Sequence, residues 1–145
     1  MSSELPGARV RREVLKRAQG CCEYCLCQRQ FSPAPFSIEH IIPRSQGGTS
    51  DAGNLGLACQ GCNNHKFTHT TGIDPVSMAE VRLYHPRRDV WRAHFAWTED
   101  FTELIGLTAC GRATIWRLRL NRPEIVALRQ VLVAAGLHPP NYPYR

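Results

Sequence analysis

The sequence predicts an α+β fold: a small ββα unit on a four-cysteine zinc site, followed by a C-terminal extension of a β-hairpin and helices. Three observations predict it. Two Cys-x-x-Cys pairs, Cys22/Cys25 and Cys59/Cys62, supply the four thiolates of a closed tetrahedral site. Between and after them come two short apolar runs separated by a Gly-Gly loop, then a polar helical stretch. Beyond residue 75 an aromatic-rich pair of runs precedes two stretches with helical signals.

In chain order, residues 7–19 read as a helix, because Val10, Val14 and Ala18 recur every four residues while Arg9, Arg11, Arg12, Lys16 and Arg17 take the remaining surface. Pro33 and Pro35 keep 31–35 irregular. Phe36 to Ile42 reads as a strand ended by Pro43. Residues 45–50 form a loop, and Leu55 to Ala58 is the partner strand. Residues 60–70 read as a short helix starting at the second knuckle, which completes the ββα unit. Gly72 to Pro75 reads as a boundary. Trp91, Phe95 and Trp97, then Leu104, Ile105 and Leu107, suggest a hairpin turning at residues 98–100. For 112–120 the alternation of Trp116, Leu118 and Leu120 with Arg117 and Arg119 suits a strand, but Thr108 can cap a helix, and helix is the reading taken. In the last helix Asn121 and Glu124 make a capping-box-like start with Pro123 in the first turn. Ile125, Leu128, Leu132 and Ala135 form its apolar stripe, and Gly136 stops it.

At 145 residues with a formal charge of +6, the chain has the size of one domain with an extension. Sixteen of its eighteen basic residues are Arg, which suits bidentate contact with phosphate. No apolar run has membrane-spanning length, and Met1 to Glu4 lacks a secretory apolar core, so a cytoplasmic protein is expected. Seven cysteines are odd for a disulfide framework. Cys21, Cys27 and Cys110 are left over as packed thiols, with Cys21 next to the first knuckle. Surface positions are expected for His65 and His69, and core packing for Trp91, Trp97 and Trp116.

The chemistry sits inside the cysteine frame. The 33 residues between Cys25 and Cys59 exceed the about 15–20 of a simple zinc ribbon, and the surplus carries Glu39 and His40. A carboxylate, an imidazole and an amide are hard-metal and proton-transfer groups. Hydrolysing a phosphodiester needs an activated water, a cation against the developing phosphoryl charge and help for the leaving oxygen. One imidazole and one metal can supply these. Glu39 and His40 are strand neighbours, so they converge on one phosphate only if the strand bends or ends there.

Cys22-Glu23-Tyr24-Cys25, then Glu39-His40-Ile41-Ile42-Pro43-Arg44-Ser45 with Gly47-Gly48, then Asn54-Leu55 and Cys59, Cys62, Asn63 and Lys66 in order, resemble the HNH endonucleases of the ββα-metal (His-Me finger) type. The resemblance spans about residues 10–72. It implies an HNH nuclease core over 1–75 and an extension over 76–145 packed on it. It further implies His40 as general base, Glu39 and Asn63 as ligands of a single catalytic divalent ion, and Asn54 as the residue holding the loop that orients His40. Asn63 stands where the family name has a second histidine, and a neutral oxygen ligand favours Mg2+ or Mn2+. Zn2+ on Cys22, Cys25, Cys59 and Cys62 would be structural. The expected partner is the phosphate backbone of DNA, met by Arg9, Arg12, Lys16, Arg44 and Lys66, with neither a membrane nor a small-molecule cofactor involved. Cleavage leaving a 5′ phosphate and a 3′ hydroxyl is the implied reaction. A zinc-containing nucleic-acid-binding module without cleavage activity is the alternative, and retention of Glu39, His40 and Asn63 together separates the two.

Overall fold

Antiparallel pairing of β1 (Ser37–His40) with β2 (Leu55–Ala58) builds the finger, with Ile38 opposite Leu57 and His40 opposite Leu55. A computed structural model describes residues 6–141; Met1 to Glu4, read above for a leader, lies outside them. The helix before the finger, α1 (Ala8–Ala18), buries Val14 and Ala18 against Leu55 and Leu57. Its Arg17 donates to the carbonyls of Ala52 and Leu55 at 3.0 and 2.7 Å, so one cation of the basic helix clamps it to the finger. β1 is shorter than the predicted 36–42. The Ile41 amide leaves the ladder for the Asn54 carbonyl, and Pro43 opens a 3-10 turn over Arg44–Gln46.

The helix α2 (Gln60–Lys66) starts at Cys59, whose sulfur accepts the Cys62 amide at 3.5 Å. It stops four residues before the predicted end because Phe67 takes a positive φ. The residues read as a boundary, 72–75, belong to a hairpin of β3 (Thr71–Ile73) and β4 (Glu80–Arg82). Asp74 in its turn is gripped by Arg112 at 2.8 and 3.0 Å. A short helix α3 (Trp91–His94) leads into the second hairpin, β5 (Phe95–Trp97) and β6 (Leu104–Gly106), where the sequence placed it.

Residues 112–120, ambiguous in sequence, lie mostly in α4 (Ala109–Leu118), capped by the Thr108 hydroxyl on the Gly111 amide at 2.9 Å. The start of α5 (Pro123–Ala134) differs from expectation. Its N-cap is Arg122, not Asn121, because the Asn121 amide is taken by both backbone groups of Leu104, at 2.7 and 2.9 Å. The apolar stripe is also interrupted: Arg129 is buried between Ile125 and Leu132, donating to the carbonyls of Thr102 and Leu120, while Ala135 is exposed. The helix closes as predicted at Gly136, in a Schellman arrangement with Gly136 N to Val133 O and Leu137 N to Leu132 O.

One apolar cluster joins Cys22, Tyr24, Cys25, Cys59 and Cys62 to Leu83, Tyr84, Trp91, Phe95, Leu118 and Ile125. The cysteine frame and the extension therefore share a core. Among the described residues no helix is long and apolar enough to cross a membrane.

Candidate metal centre and active site

The sulfur atoms of Cys22, Cys25, Cys59 and Cys62 lie within 4.8 Å of one another, all buried and none in a disulfide. Cys25 and Cys59 sulfurs are 3.7 Å apart. A tetrahedral ion ligated at about 2.3 Å places its sulfurs about 3.8 Å apart, so the cage has the size zinc requires. Crowding splits the thiols: hydrogen bonds, that of Cys22 first, push Cys59 down, whereas burial first pushes Cys22 up. A divalent ion is the natural way to satisfy such a set. The surplus thiol beside the cage is Cys27, within hydrogen-bonding reach of Cys22, Cys25 and Cys59, rather than Cys21, which turns to the Gln19 carbonyl. Adjacency in sequence suggested Cys21; the tight turn through Leu26, at positive φ, brings Cys27 round instead.

The residues inside the first knuckle were given no individual role in sequence, yet both hold the finger. Glu23 accepts the Leu57 amide at 3.0 Å and pairs with Arg87 from the extension. Tyr24 donates its hydroxyl to Glu39, and its carbonyl accepts from the Trp91 indole at 3.1 Å.

Glu39 and His40 do alternate across β1. Glu39 is 6% exposed and lies 3.1 Å from the Lys66 ammonium, which also donates to the Ile41 carbonyl at 2.9 Å. Burial pushes the Glu39 carboxyl up, against the opposing pull of Lys66 and Tyr24. Lys66 is thereby corrected: expected on phosphate, it is buried at 1% exposure and committed to Glu39. A lysine with its stem packed and its charge paired inside has no signature in one sequence. Asn63 lies three residues before Lys66 on α2, and its side-chain amide has no partner among the described residues. A carboxylate and a neutral amide oxygen are donor types that suit Mg2+ or Mn2+, and both Glu39 oxygens are engaged as they stand, one by Lys66 and the other by Tyr24.

His40 is half-buried, with Nε2 at 2.9 Å from the Ser50 hydroxyl. Burial first, then Arg44, hold its imidazole below the ordinary value, so the neutral ring dominates at neutral pH. The loop carrying Ser50 is clasped by Asn54, which accepts the Ile42 amide at 2.9 Å and donates to the carbonyls of Ile42 and Thr49 at 3.0 and 2.8 Å. Gly48 is needed in that clasp, since a Cβ there would come within 2.6 Å of the Ile42 carbonyl carbon.

Arg9, Arg12 and Lys16 are exposed on α1, and Arg44 is exposed beside His40. His65 is half-buried and His69 exposed. Trp91 packs on Phe95 and on Trp97, but Trp116, expected in the core, is 50% exposed with Arg117 over its ring at 5.0 Å. Another grouping, Asp89, His94 and Cys110, already has its carboxylate closed by Arg82 at 2.6 and 3.0 Å.

Residues 22–68 match the HNH endonuclease family. The matched segment covers about a third of the chain. No curated protein matches the chain. The HNH segment begins at the first cage cysteine and ends two residues past Lys66, so it contains the cage, the β1–β2 clasp and α2. The match supports a nuclease-type function directed at nucleic acid for this segment, and the extension that braces it lies outside the match.

Proposed function

We propose that the protein is a metal-dependent endonuclease that hydrolyses DNA phosphodiester bonds, with His40 as general base. The observation that carries this reading is the arrangement of His40: a neutral imidazole at the rim of the clasp, fixed through Ser50 and Asn54, on the strand that also holds Glu39. With Nε2–H donating to Ser50, the lone pair of Nδ1 is left to take a proton from water. Glu39 and Asn63 would hold Mg2+ or Mn2+, which when bound polarises the phosphate and stabilises the leaving 3′ oxygen. Lys66 positions Glu39 and pulls its carboxyl toward the ionised form against the effect of burial. Arg9, Arg12, Lys16 and Arg44 would contact the backbone phosphates without reading sequence. The zinc cage would hold β1, β2 and α2 in register, with the chain beyond the β3–β4 hairpin as an extension packed on the finger. The products are a 5′ phosphate and a 3′ hydroxyl.

The test is to incubate the protein with supercoiled and linear DNA under Mg2+, Mn2+ and EDTA, beside His40→Ala. Cleavage that needs the metal and falls by about 10²–10⁴-fold in His40→Ala, with DNA affinity unchanged, is the expected result. Wild-type rates in His40→Ala reassign the base. Binding without cleavage under every metal leaves a zinc-bearing nucleic-acid-binding module.

A further inference from the structure

We propose that Arg122, supplied by the extension, is a positioning residue of the sulfur cage: its guanidinium donates to Cys59 and Cys62 and balances the charge of a four-thiolate zinc centre. The inference rests on the zinc reading of the cage and is independent of the cleavage reading. Arg122 Nη2 lies 3.4 Å from the Cys59 sulfur and Nη1 lies 3.7 Å from the Cys62 sulfur. The side chain is buried, so these contacts are made out of water. Nη1 also donates to the Arg119 carbonyl at 3.1 Å and meets that of Leu118 at 3.4 Å, which aims the fork from the end of α4. Among the described residues its acidic neighbour is Glu124, 3.7 Å away and mostly exposed, so it competes weakly for the charge.

The chemistry requires such a group. Four thiolates on a divalent ion leave a net charge of −2, and a buried charge without a partner is strongly unfavourable. Arg129, the buried arginine within α5, directs Nη1 and Nη2 to the Thr102 and Leu120 carbonyls and the Asn121 side-chain oxygen. Arg122 is the one with its nitrogens on sulfur. A separate mark lies in the second knuckle. At Gly61 a Cβ would sit 2.7 Å from Arg122 Cζ and 2.9 Å from Nε, so the knuckle is open there for the guanidinium to enter. Charge-assisted donation to a thiolate stabilises its lone pair and slows its departure from the metal.

The experiment uses the full chain, zinc-loaded and then cobalt-substituted, as wild type, Arg122→Gln, Arg122→Lys and Gly61→Ala. Zinc transfer to a colorimetric chelator should be about tenfold faster in Arg122→Gln. Its sulfur-to-cobalt charge-transfer bands should move to lower energy, because the thiolates lose a stabilising cation. Arg122→Lys should restore part of both effects. Gly61→Ala keeps the arginine but displaces it, and should follow Arg122→Gln. A folded Arg122→Gln with wild-type release and an unmoved cobalt spectrum overturns the proposal, as does a lowered melting temperature with both metal readouts unchanged, which is what a mere brace between α4 and α5 gives. Where Arg122→Gln does not fold, Gly61→Ala decides by the same two readouts. A wild type that takes up neither zinc nor cobalt overturns the cage itself, and with it this role.

Discussion

The sulfur cage and the Glu39–His40 edge share the same two strands and one helix, yet the cage is sealed on every side while the edge is closed at Glu39 and open at His40. Each choice follows from the chemistry. Soft thiolates around a structural ion gain from exclusion of water, so all four cysteines are buried in the main apolar cluster. A site that hydrolysed a phosphodiester would have to admit water and a polyanion, and the half-buried His40 at the loop rim leaves room for both, whereas the buried Glu39 is paired with an internal lysine. Two polar centres in one small finger are thus separated by burial rather than by distance along the chain.

The largest way to break that comparison is to open the cage. Cys59→Ser should lose the zinc and unfold the finger, since structural zinc binding is folding free energy on the order of 10 kcal/mol, comparable with a domain's whole stability. Metal content together with a thermal melt checks this; a variant that keeps wild-type zinc and melting removes the structural role of the ion. Smaller, and more discriminating, is Lys66→Ala. It leaves Glu39 buried without its cation, and a loss of about 3–5 kcal/mol is expected in denaturant unfolding. Wild-type stability combined with weaker DNA binding would instead return Lys66 to the phosphate contact that its sequence position suggested. The mildest change, Arg9→Ala with Arg12→Ala, touches only exposed charges. It should reduce the slope of log affinity against log salt by about two and weaken all DNA sequences alike. An unchanged slope would take α1 out of the binding surface.

Legibility in the sequence followed the same divide. The cysteines and β2 were readable because their signals are local, knuckle spacing and an apolar run, whereas the part of Asn54 came only with the family resemblance. The Schellman stop at Gly136 and the Thr108 cap were local too. What escaped was tertiary. Asn121 looks like a cap until Leu104, 17 residues away, claims its amide. Lys66, Arg122 and Arg129 look like surface cations among sixteen arginines and two lysines, and only the packed chain shows that their charges point inward. Cys27 reaches the cage through a turn whose geometry no spacing rule encodes. Trp116 lies half exposed, while the buried aromatics of the core are Tyr24, Tyr84, Trp91 and Phe95.

The pairing of Glu23 with Arg87, and of the Tyr24 carbonyl with Trp91, bears on attempts to miniaturise such a protein. A fragment trimmed after the matched segment would keep every group that a motif search recognises. It would also strip the counter-charge from a buried glutamate and the indole from a buried carbonyl, both within the loop that carries two of the four sulfurs. The finger is therefore not a cassette to be lifted into another host protein. Transplanting it calls for a surrogate floor, one that brings its own guanidinium and its own indole to the underside of the knuckle.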